Sequence, residues 1–168
     1  MLLLKNARIY PQTEAAPFTG DVLCKDGRII EIGKDLNSEN AEVLDLTGLV
    51  LMPGWVDCHS HAGLGPGKSV LGLSYGTDTG DPVSPQMRVI YSADPSNPCF
   101  SFALKNGITT LGIVPGSSDI IDGLGFATRT WGDNMFEMCL KQDMSMKMSL
   151  GENPKGVVQG QHRQPDCR

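Results

Sequence analysis

The chain has 168 residues, and its composition narrows the kinds of protein it can be. With 40% hydrophobic and 20% charged residues, it has the make-up of a soluble globular protein that buries a core in one domain or slightly more. The formal net charge is −5 and no basic stripe occurs, which disfavours nucleic acid as a partner because phosphate binding relies on clustered lysine and arginine. No apolar run approaches the roughly 18 residues of a membrane span.

Cysteine usage and the N-terminal residues bear on the cellular compartment. The five cysteines are scattered and form no CxxC pair, so neither a disulfide framework nor a zinc ribbon is indicated. The leucines at 2–4 are followed by Lys5 and Arg8, which leaves too short an apolar stretch for a signal peptide. The sequence therefore predicts a cytoplasmic protein with reduced thiols and no membrane partner.

Residues 1–52 have the pattern of a small β unit. Apolar and polar residues alternate in its segments, and no helical period occurs. Asp26 and Gly27 supply the positive φ angles of a tight hairpin turn. The strand-like segments are 2–10, 22–24, 28–32 and 43–51.

Residues 49–61 are an apolar run, broken by one Pro-Gly step, that ends in two histidines. In an extended strand the side-chain period is two, so His59 and His61 are expected on the same face. Neutral imidazole is a common ligand of zinc and related divalent ions. Asp57 has the same parity and could fix a histidine tautomer as an outer acceptor. The pattern predicts a divalent-metal site at the end of this strand.

Residues 62–98 form a long segment rich in glycine, proline, serine and aspartate. A loop of this length inside a compact domain is usually functional or disordered. Because it follows the histidine pair directly, it is either a wall or lid of a site or a floppy insertion. The sequence leaves both interpretations open.

A helix and a second buried strand follow this segment. The pattern predicts a short helix over 99–107, closed by Asn106 and Gly107, which accommodate a left-handed cap. Residues 108–114 are a nearly continuous β-branched run, which is typical of a strand buried on both faces. A strand, a helix and another buried strand make a βαβ unit, so a parallel sheet is expected.

Weaker signals continue this pattern toward the C-terminus. Residues 135–142 are predicted to form a further helix and residues 144–150 a third strand, whose three methionines would face the core. Residues 156–168 are predicted to be a polar tail. His162 lies in that tail and is expected to be exposed.

The histidine motif resembles the opening strand of the amidohydrolase superfamily, whose members carry P-G-apolar-apolar-D-x-H-x-H. Segments 105–110, 114–117 and 147–155 favour the branch that contains imidazolonepropionase-like proteins. The resemblance implies an α/β fold in which a small N-terminal β-sandwich precedes a (β/α)₈ barrel. Since such a barrel takes about 250 residues, this chain is expected to hold an incomplete one with about three of eight strands. The implied division is 1–52 for the sandwich, 53–155 for the partial barrel and 156–168 for the tail.

The same resemblance implies metal-dependent hydrolysis of a non-peptide C–N bond, an amide and often a cyclic one, in a small-molecule substrate. His59 and His61 would bind the metal, with zinc as the expected ion. Glu152 is a candidate further ligand, against the alternative of a solvated loop carboxylate. Lys147 is a candidate for carboxylation, against the alternative of an outward-facing charge. The later histidines and the strand-eight aspartate of the family have no counterpart, so no catalytic residue is assigned.

Two other functions stay open at this stage. The chain could be a non-catalytic fragment that acts as an assembly or binding module, either as a homo-oligomer or with a complementing chain. Residues 62–69 also fit a relaxed phosphate-loop pattern, although the residues after it are poorly helical. With only two firm ligands, the chain alone is expected to be truncated, to bind metal weakly and to turn over little.

Overall fold

The computed structural model describes residues 1–13, 15–65, 76 and 80–161. The chain divides into two compact units, Met1–Pro53 and Gly54–Arg168. Four sequence predictions fall wholly or partly outside the described residues. They concern the phosphate-loop-like segment 62–69, the Gly- and Pro-rich segment 62–98, the polar tail 156–168, and His162. In the described part of the chain, no helix is both long enough and apolar enough to cross a membrane.

The first unit is one five-stranded sheet built around its first strand. That strand, β1, pairs antiparallel with β2 on one side and parallel with β4 and β5 on the other, while β3 pairs antiparallel with β2. Its buried centre is small and apolar, formed by Ala7, Ile9 and Val22. The strands are β1 (Leu2–Ile9), β2 (Phe18–Lys25), β3 (Arg28–Gly33), β4 (Glu42–Asp45) and β5 (Val50–Leu51).

The hairpin turn predicted for this unit is confirmed, whereas the predicted two-layer arrangement of its strands is not observed. Asp26 and Gly27 have φ angles of 51° and 74°, which confirms the predicted hairpin turn between β2 and β3. The predicted strand 43–51 is two strands, because the chain turns at Gly48, where φ is 80°. The predicted sandwich is a single sheet, since every strand joins the others edge to edge through β1 or β2.

The described residues of the second unit form a four-stranded sheet and three α-helices. The sheet order is β6-β7-β8-β9, in which β6 and β7 are parallel and the other two pairs antiparallel. The helix between β6 and β7 confirms the predicted βαβ unit, and Gly107 adopts the left-handed cap with φ 80°. The elements are β6 (Trp55–Ser60), α1 (Pro98–Lys105), β7 (Ile108–Ile113), β8 (Ile121–Arg129), α2 (Met135–Met138), β9 (Cys139–Met148) and α3 (Glu152–Gln161).

The strand β8 was not predicted, and it changes the sheet from parallel to mixed. The connection 114–120 is too short for the crossover that a parallel strand needs, so the chain returns antiparallel to β7. Glycines hide the strand pattern in the sequence. One of them, Gly125, is required by packing, because a Cβ there would lie 2.6 Å from the carbonyl oxygen of Ile113. The fold is mixed α/β with two sheets, and the predicted all-parallel arc of three strands is wrong.

The C-terminal elements also differ from the sequence predictions. The helix expected over 135–142 ends at Met138, and β9 begins at the next residue. The methionines expected in the core are not all there, since Met146 and Met148 are 42% and 61% exposed. Helix α3 occupies 152–161, where a polar tail was expected from residue 156; Pro154 lies in its first turn, where the missing N–H breaks no helical hydrogen bond.

An apolar core packs against one face of the second sheet. It combines the centres of β7 and β8 with α1, α2 and the 3₁₀ turn Val89–Tyr91. This core holds the ends of β6 and β7 in place, where the two histidines lie. The buried members are Ala62, Leu64, Val89, Ile90, Phe100, Ala103, Leu111, Ile113, Phe126, Met135 and Met138.

Candidate metal centre

The two histidines lie at the C-terminal end of β6. Against β7, Asp57 is opposite Leu111 and Ser60 is opposite Ile113, so β6 has one residue more than its partner and bulges between these pairs. His61 lies just beyond the strand, and the regular alternation expected through it is therefore broken. The two rings still meet, with centres 5.4 Å apart and planes at 86°.

A main-chain carbonyl orients the second ring. Nδ1 of His61 lies 2.8 Å from the carbonyl oxygen of Val114. A carbonyl oxygen can only accept, so Nδ1 carries the proton and the lone pair is on Nε2. This is the arrangement in which a metal-binding histidine donates its other N–H to an outer acceptor.

Asp57 has a different contact from the one expected. Its Oδ1 accepts a hydrogen bond from the main-chain N–H of His59 at 3.0 Å, which braces the backbone where β6 bulges. The Ser60 hydroxyl similarly accepts from the N–H of Ala62 at 3.1 Å. The outer acceptor suggested for Asp57 is thus supplied by the Val114 carbonyl, which no sequence signal marked.

A cavity of about 550 Å³ opens beside His61. On one side it is lined by β6 residues, including Asp57, and on the other by Phe102 of α1 and by Asn97, which precedes that helix. Its volume is within the range of small-molecule pockets. Asn97 was not predicted as a site residue; it is buried, and its Oδ1 accepts from the N–H of Cys99 as the helix N-cap. An Asn-Pro step before an apolar run was the available signal.

The structure does not bring Glu152 together with the histidine pair. Glu152 is 88% exposed, and one carboxylate oxygen lies 3.5 Å from Nζ of Lys155. It lines a separate polar cavity with Ser117 and Asn153, whose side chains are hydrogen-bonded at 2.8 Å. Among the described residues, no group of three or more His, Cys, Asp or Glu could hold a metal ion. Glu152 as a ligand stays a prediction.

The chemistry of the two histidines fits a divalent cation. Two imidazoles bound to one tetrahedral ion through nitrogens at 2.0–2.1 Å would have ring centres about 5 Å apart. The observed spacing of His59 and His61 is close to this value. The Val114 contact also leaves Nε2 of His61 as the nitrogen with a lone pair. These two side chains are the part of a metal site that the described chain supplies.

One further acidic group lies at the start of β8, an inner strand of the second sheet. Asp122 is 6% exposed, and its Oδ1 accepts from the N–H of Asp119 at 3.1 Å. Its Oδ2 is buried and has no hydrogen-bond partner within 3.5 Å among the described residues. Burial raises the pKa of Asp122, while the Asp119 N–H, the charge of Lys147 and the Ser149 side chain act against that rise. Lys147 itself is half-buried on β9.

These features define the class of the protein. It is a two-unit α/β chain whose second unit presents paired histidines at the end of a sheet strand, next to a cavity of small-molecule size. No protein-family model matches the chain.

Three of the similar proteins are a dihydroorotase and two amidohydrolases. The dihydroorotase of Streptococcus pneumoniae is 46% identical over 61 residues, which are 36% of this chain and 14% of that protein. The amidohydrolase tasK of Hapsidospora irregularis is 29% identical over 164 residues, which cover 89% of this chain and 17% of that protein. The crystal structure of an amidohydrolase from Thermotoga maritima matches with a TM-score of 0.88 and 36% identity, over 100% of this chain and 44% of that one.

These likenesses confirm the predicted resemblance at the level of the superfamily, and the imidazolonepropionase-like branch stays a prediction. The chain is similar to amidohydrolase-superfamily proteins, over their N-terminal portion only. It spans less than a fifth of the two curated relatives and less than half of the solved structure.

Proposed function

We propose that this chain is the N-terminal portion of a metal-dependent hydrolase of the amidohydrolase superfamily. Its substrate is a small molecule with a non-peptide C–N bond, an amide and in particular a cyclic one. The observation that carries the proposal is the pair of adjacent imidazoles at the end of β6, with Nε2 of His61 left as the ligand nitrogen by the contact to Val114.

The similar proteins support this function in its broad form. The solved structure that matches over the whole chain is that of an amidohydrolase, at 36% identity. The match to a dihydroorotase is shorter, at 61 residues, but its identity of 46% is higher. The cavity beside His61 supports a small-molecule substrate, because its walls combine apolar side chains such as Phe102 with the polar groups of Asp57 and Asn97.

The roles of the chain's own residues follow from their contacts. His59 and His61 would hold the cation, expected to be zinc, and Glu152 would add a ligand if α3 brings it to them. A bound divalent cation lowers the pKa of a water molecule and polarises a scissile carbonyl. Asp57 keeps the His59 backbone in place, and Val114 keeps the His61 ring in place. A catalytic zinc site usually has three protein ligands, so we expect this chain alone to bind metal weakly.

Zinc titration of the purified chain by calorimetry tests the metal site. We expect one Zn²⁺ per chain, with binding weakened at least about 100-fold by H59A or H61A because each removes a ligand. The matched control is H162A, which removes the remaining histidine of the sequence and should bind as the parent does. Binding that survives the double variant H59A/H61A would contradict the proposal.

The Glu152 role has its own test. E152Q keeps the shape of the side chain and removes its charge, so it weakens zinc binding if the carboxylate is a ligand. Lys155 is the matched control, since K155M breaks the Glu152 ion pair without touching the carboxylate. Equal affinity of E152Q and the parent chain would remove Glu152 from the metal site.

Hydrolysis of cyclic amides, including dihydroorotate, tests the activity. For this chain alone, loaded with zinc, we expect little or no turnover because no proton-shuttling group is assigned among the described residues. Robust turnover with one bound ion would overturn the expectation that the chain is insufficient by itself.

A second candidate function, an assembly module, is favoured by the edges of the second sheet. Among the described strands, β6 and β9 each pair on one side only. Trp55 and Val56 on β6 are 61% and 67% exposed, and Met148 on β9 is 61% exposed. Unpaired apolar edges promote association with another strand. Sedimentation should therefore show self-association or binding of a complementing chain, and a clean monomer over a wide concentration range would count against this function.

A further inference from the structure

The main chain of one residue contacts two successive residues at the end of β6. The N–H of Val114 donates to the carbonyl oxygen of Ser60 at 3.0 Å. Its carbonyl oxygen accepts from Nδ1 of His61 at 2.8 Å. Val114 thus holds the backbone just before the histidine and the ring of the histidine itself, although it lies 53 residues further along the chain.

The residues on both sides of Val114 fix the direction of its carbonyl group. Ile113 before it is the last residue of β7 and is fully buried opposite Ser60. Pro115 after it is buried, and a residue that precedes proline is restricted to extended backbone. Gly116 then donates its N–H to the carbonyl oxygen of Gly76 at 2.6 Å. The carbonyl is therefore held in place independently of any ligand.

We propose that Val114 and Pro115 are positioning residues that keep His61 in the Nδ1–H tautomer before a cation binds. Free histidine prefers the opposite tautomer, with the proton on Nε2, which blocks the nitrogen that would face the metal. Accepting the Nδ1 proton reverses this preference and sets the ring orientation. The choice of Nε2 as ligand atom rests on the proposed function, whereas the tautomer itself can be measured without metal.

His59 offers an internal comparison. Its main-chain N–H is hydrogen-bonded to Asp57, but none of the hydrogen bonds found in the described part of the chain involves its ring. Since only His61 has a carbonyl partner, the two histidines should differ in tautomer while sharing the same strand end.

The test is long-range proton–nitrogen correlation NMR on the whole chain with ¹⁵N-labelled histidine. It is recorded with chelator present, at a pH where imidazoles are neutral. H162Q removes the signal of the remaining histidine and makes the assignment simple. We expect His61 to be mainly Nδ1–H and His59 to be a mixture closer to free histidine. A His61 ring that is mainly Nε2–H would overturn the proposal.

Pro115→Ala tests the source of the restraint. Without the following proline, the backbone of Val114 is less restricted and the direction of its carbonyl group is less fixed. The Nδ1–H fraction of His61 should therefore fall, and zinc affinity should drop about tenfold. Pro85→Ala, at an exposed proline, is the matched control and should change neither. If P115A folds and its His61 has the same tautomer as in the parent chain, Pro115 is not a positioning residue. If P115A does not fold, the role of Val114 is still decided by the His61 tautomer in the NMR spectrum of the parent chain.

Failure of this inference and failure of the proposed function are distinguishable. If His61 is Nδ1–H but zinc does not bind, the positioning contact stands and the metal site is wrong. If zinc binds while His61 is Nε2–H without metal, the metal site stands and the positioning role is wrong.

Discussion

Both units bury aspartates, Asp21 in the first and Asp122 beside Asp119 in the second, and the hydrogen bonds found for Asp21 and Asp122 differ. Asp21 is 3% exposed; its Oδ1 accepts from the N–H of Asn6 at 2.8 Å and its Oδ2 from the N–H of Leu36 at 3.0 Å, with Nζ of Lys5 at 3.8 Å. Asp122 in the second unit has one such bond and a buried oxygen without a hydrogen-bond partner in the described residues.

The difference in hydrogen bonding gives the two aspartates different effects on stability. A buried carboxylate whose oxygens are all hydrogen-bonded stabilises the segments that donate to it, here β1 and the chain after β3. A buried carboxylate with an unpaired oxygen favours its neutral form instead. The first unit therefore relies on Asp21, whereas the second unit relies on its apolar core and tolerates Asp122.

The largest effect should come from that apolar core. Phe126 is 1% exposed and belongs to the buried cluster of the second unit, so F126A should lower the free energy of unfolding by about 3–5 kcal/mol. Denaturant unfolding followed by tryptophan fluorescence measures it, because Trp55 and Trp131 both lie in that unit. Phe102, 71% exposed, is the matched control, and an equal loss in F102A would show that stability does not reside in this core.

Next in size is the contrast between the two aspartates themselves. D21N replaces a charged acceptor with an amide whose NH₂ faces a main-chain donor, and should cost about 2–3 kcal/mol. D122N removes a buried charge that is only partly hydrogen-bonded and should cost less than about 1 kcal/mol.

Amide hydrogen exchange measures the first unit directly, since the N–H groups of Asn6 and Leu36 should lose protection in D21N. Asp26, at an exposed turn position that suits asparagine equally well, gives the control D26N. Equal losses in the free energy of unfolding for D21N and D122N would show that the two aspartates do not differ in their contribution to stability.

The pH dependence of the second unit should follow Asp122. Its native pKa is raised above the ordinary value of 3.8, so the native state binds this proton more tightly than the unfolded state does. The stabilisation is then complete below pH 3.8 and is lost as pH rises through the native pKa. We expect the free energy of unfolding, measured across this pH range, to show this loss of stability in the parent chain and not in D122N. Identical profiles would mean that Asp122 is not the titrating group.

The smallest effect should come from the exposed ion pair of the second unit. Arg88 donates from Nε and a terminal nitrogen to both carboxylate oxygens of Asp143, at 2.8 and 3.0 Å. The pairing lowers the pKa of Asp143, but both side chains are solvent-exposed and screened. R88M should barely move the denaturation midpoint and not at all in high salt. A shift as large as that of D21N would show that this exposed ion pair contributes as much to stability as the buried Asp21 carboxylate.

Short-range signals explain what could be predicted from the sequence. The Asp26-Gly27 turn, helix α1 with its glycine cap and the β-branched strand β7 are each specified within a few residues. The closeness of the histidines was likewise predictable from their spacing, even though β6 bulges between its pairs with β7. The resemblance to amidohydrolases depends on the same short motif, and its metal ligands stay a prediction.

The misses share a physical cause, which is that strand pairing is non-local. Nothing within β8 indicates that it runs antiparallel between β7 and β9; that follows from the short connection and from which sheet edge is free. The exposure of Met146 and Met148 depends on which face of β9 the core covers. The parallel arc was wrong because it was inferred from element order, which does not specify strand partners. The sandwich was implied by the resemblance, whereas the described strands of the first unit form a single sheet.

The sequence by itself determined the local elements and placed two imidazoles at one strand end, because turn, cap and periodicity signals act over a few residues. Only the tertiary structure decided which carbonyl meets His61 and which aspartate is left with an unsatisfied oxygen. Those contacts depend on residues far apart in the chain, and they form only when the strands have paired.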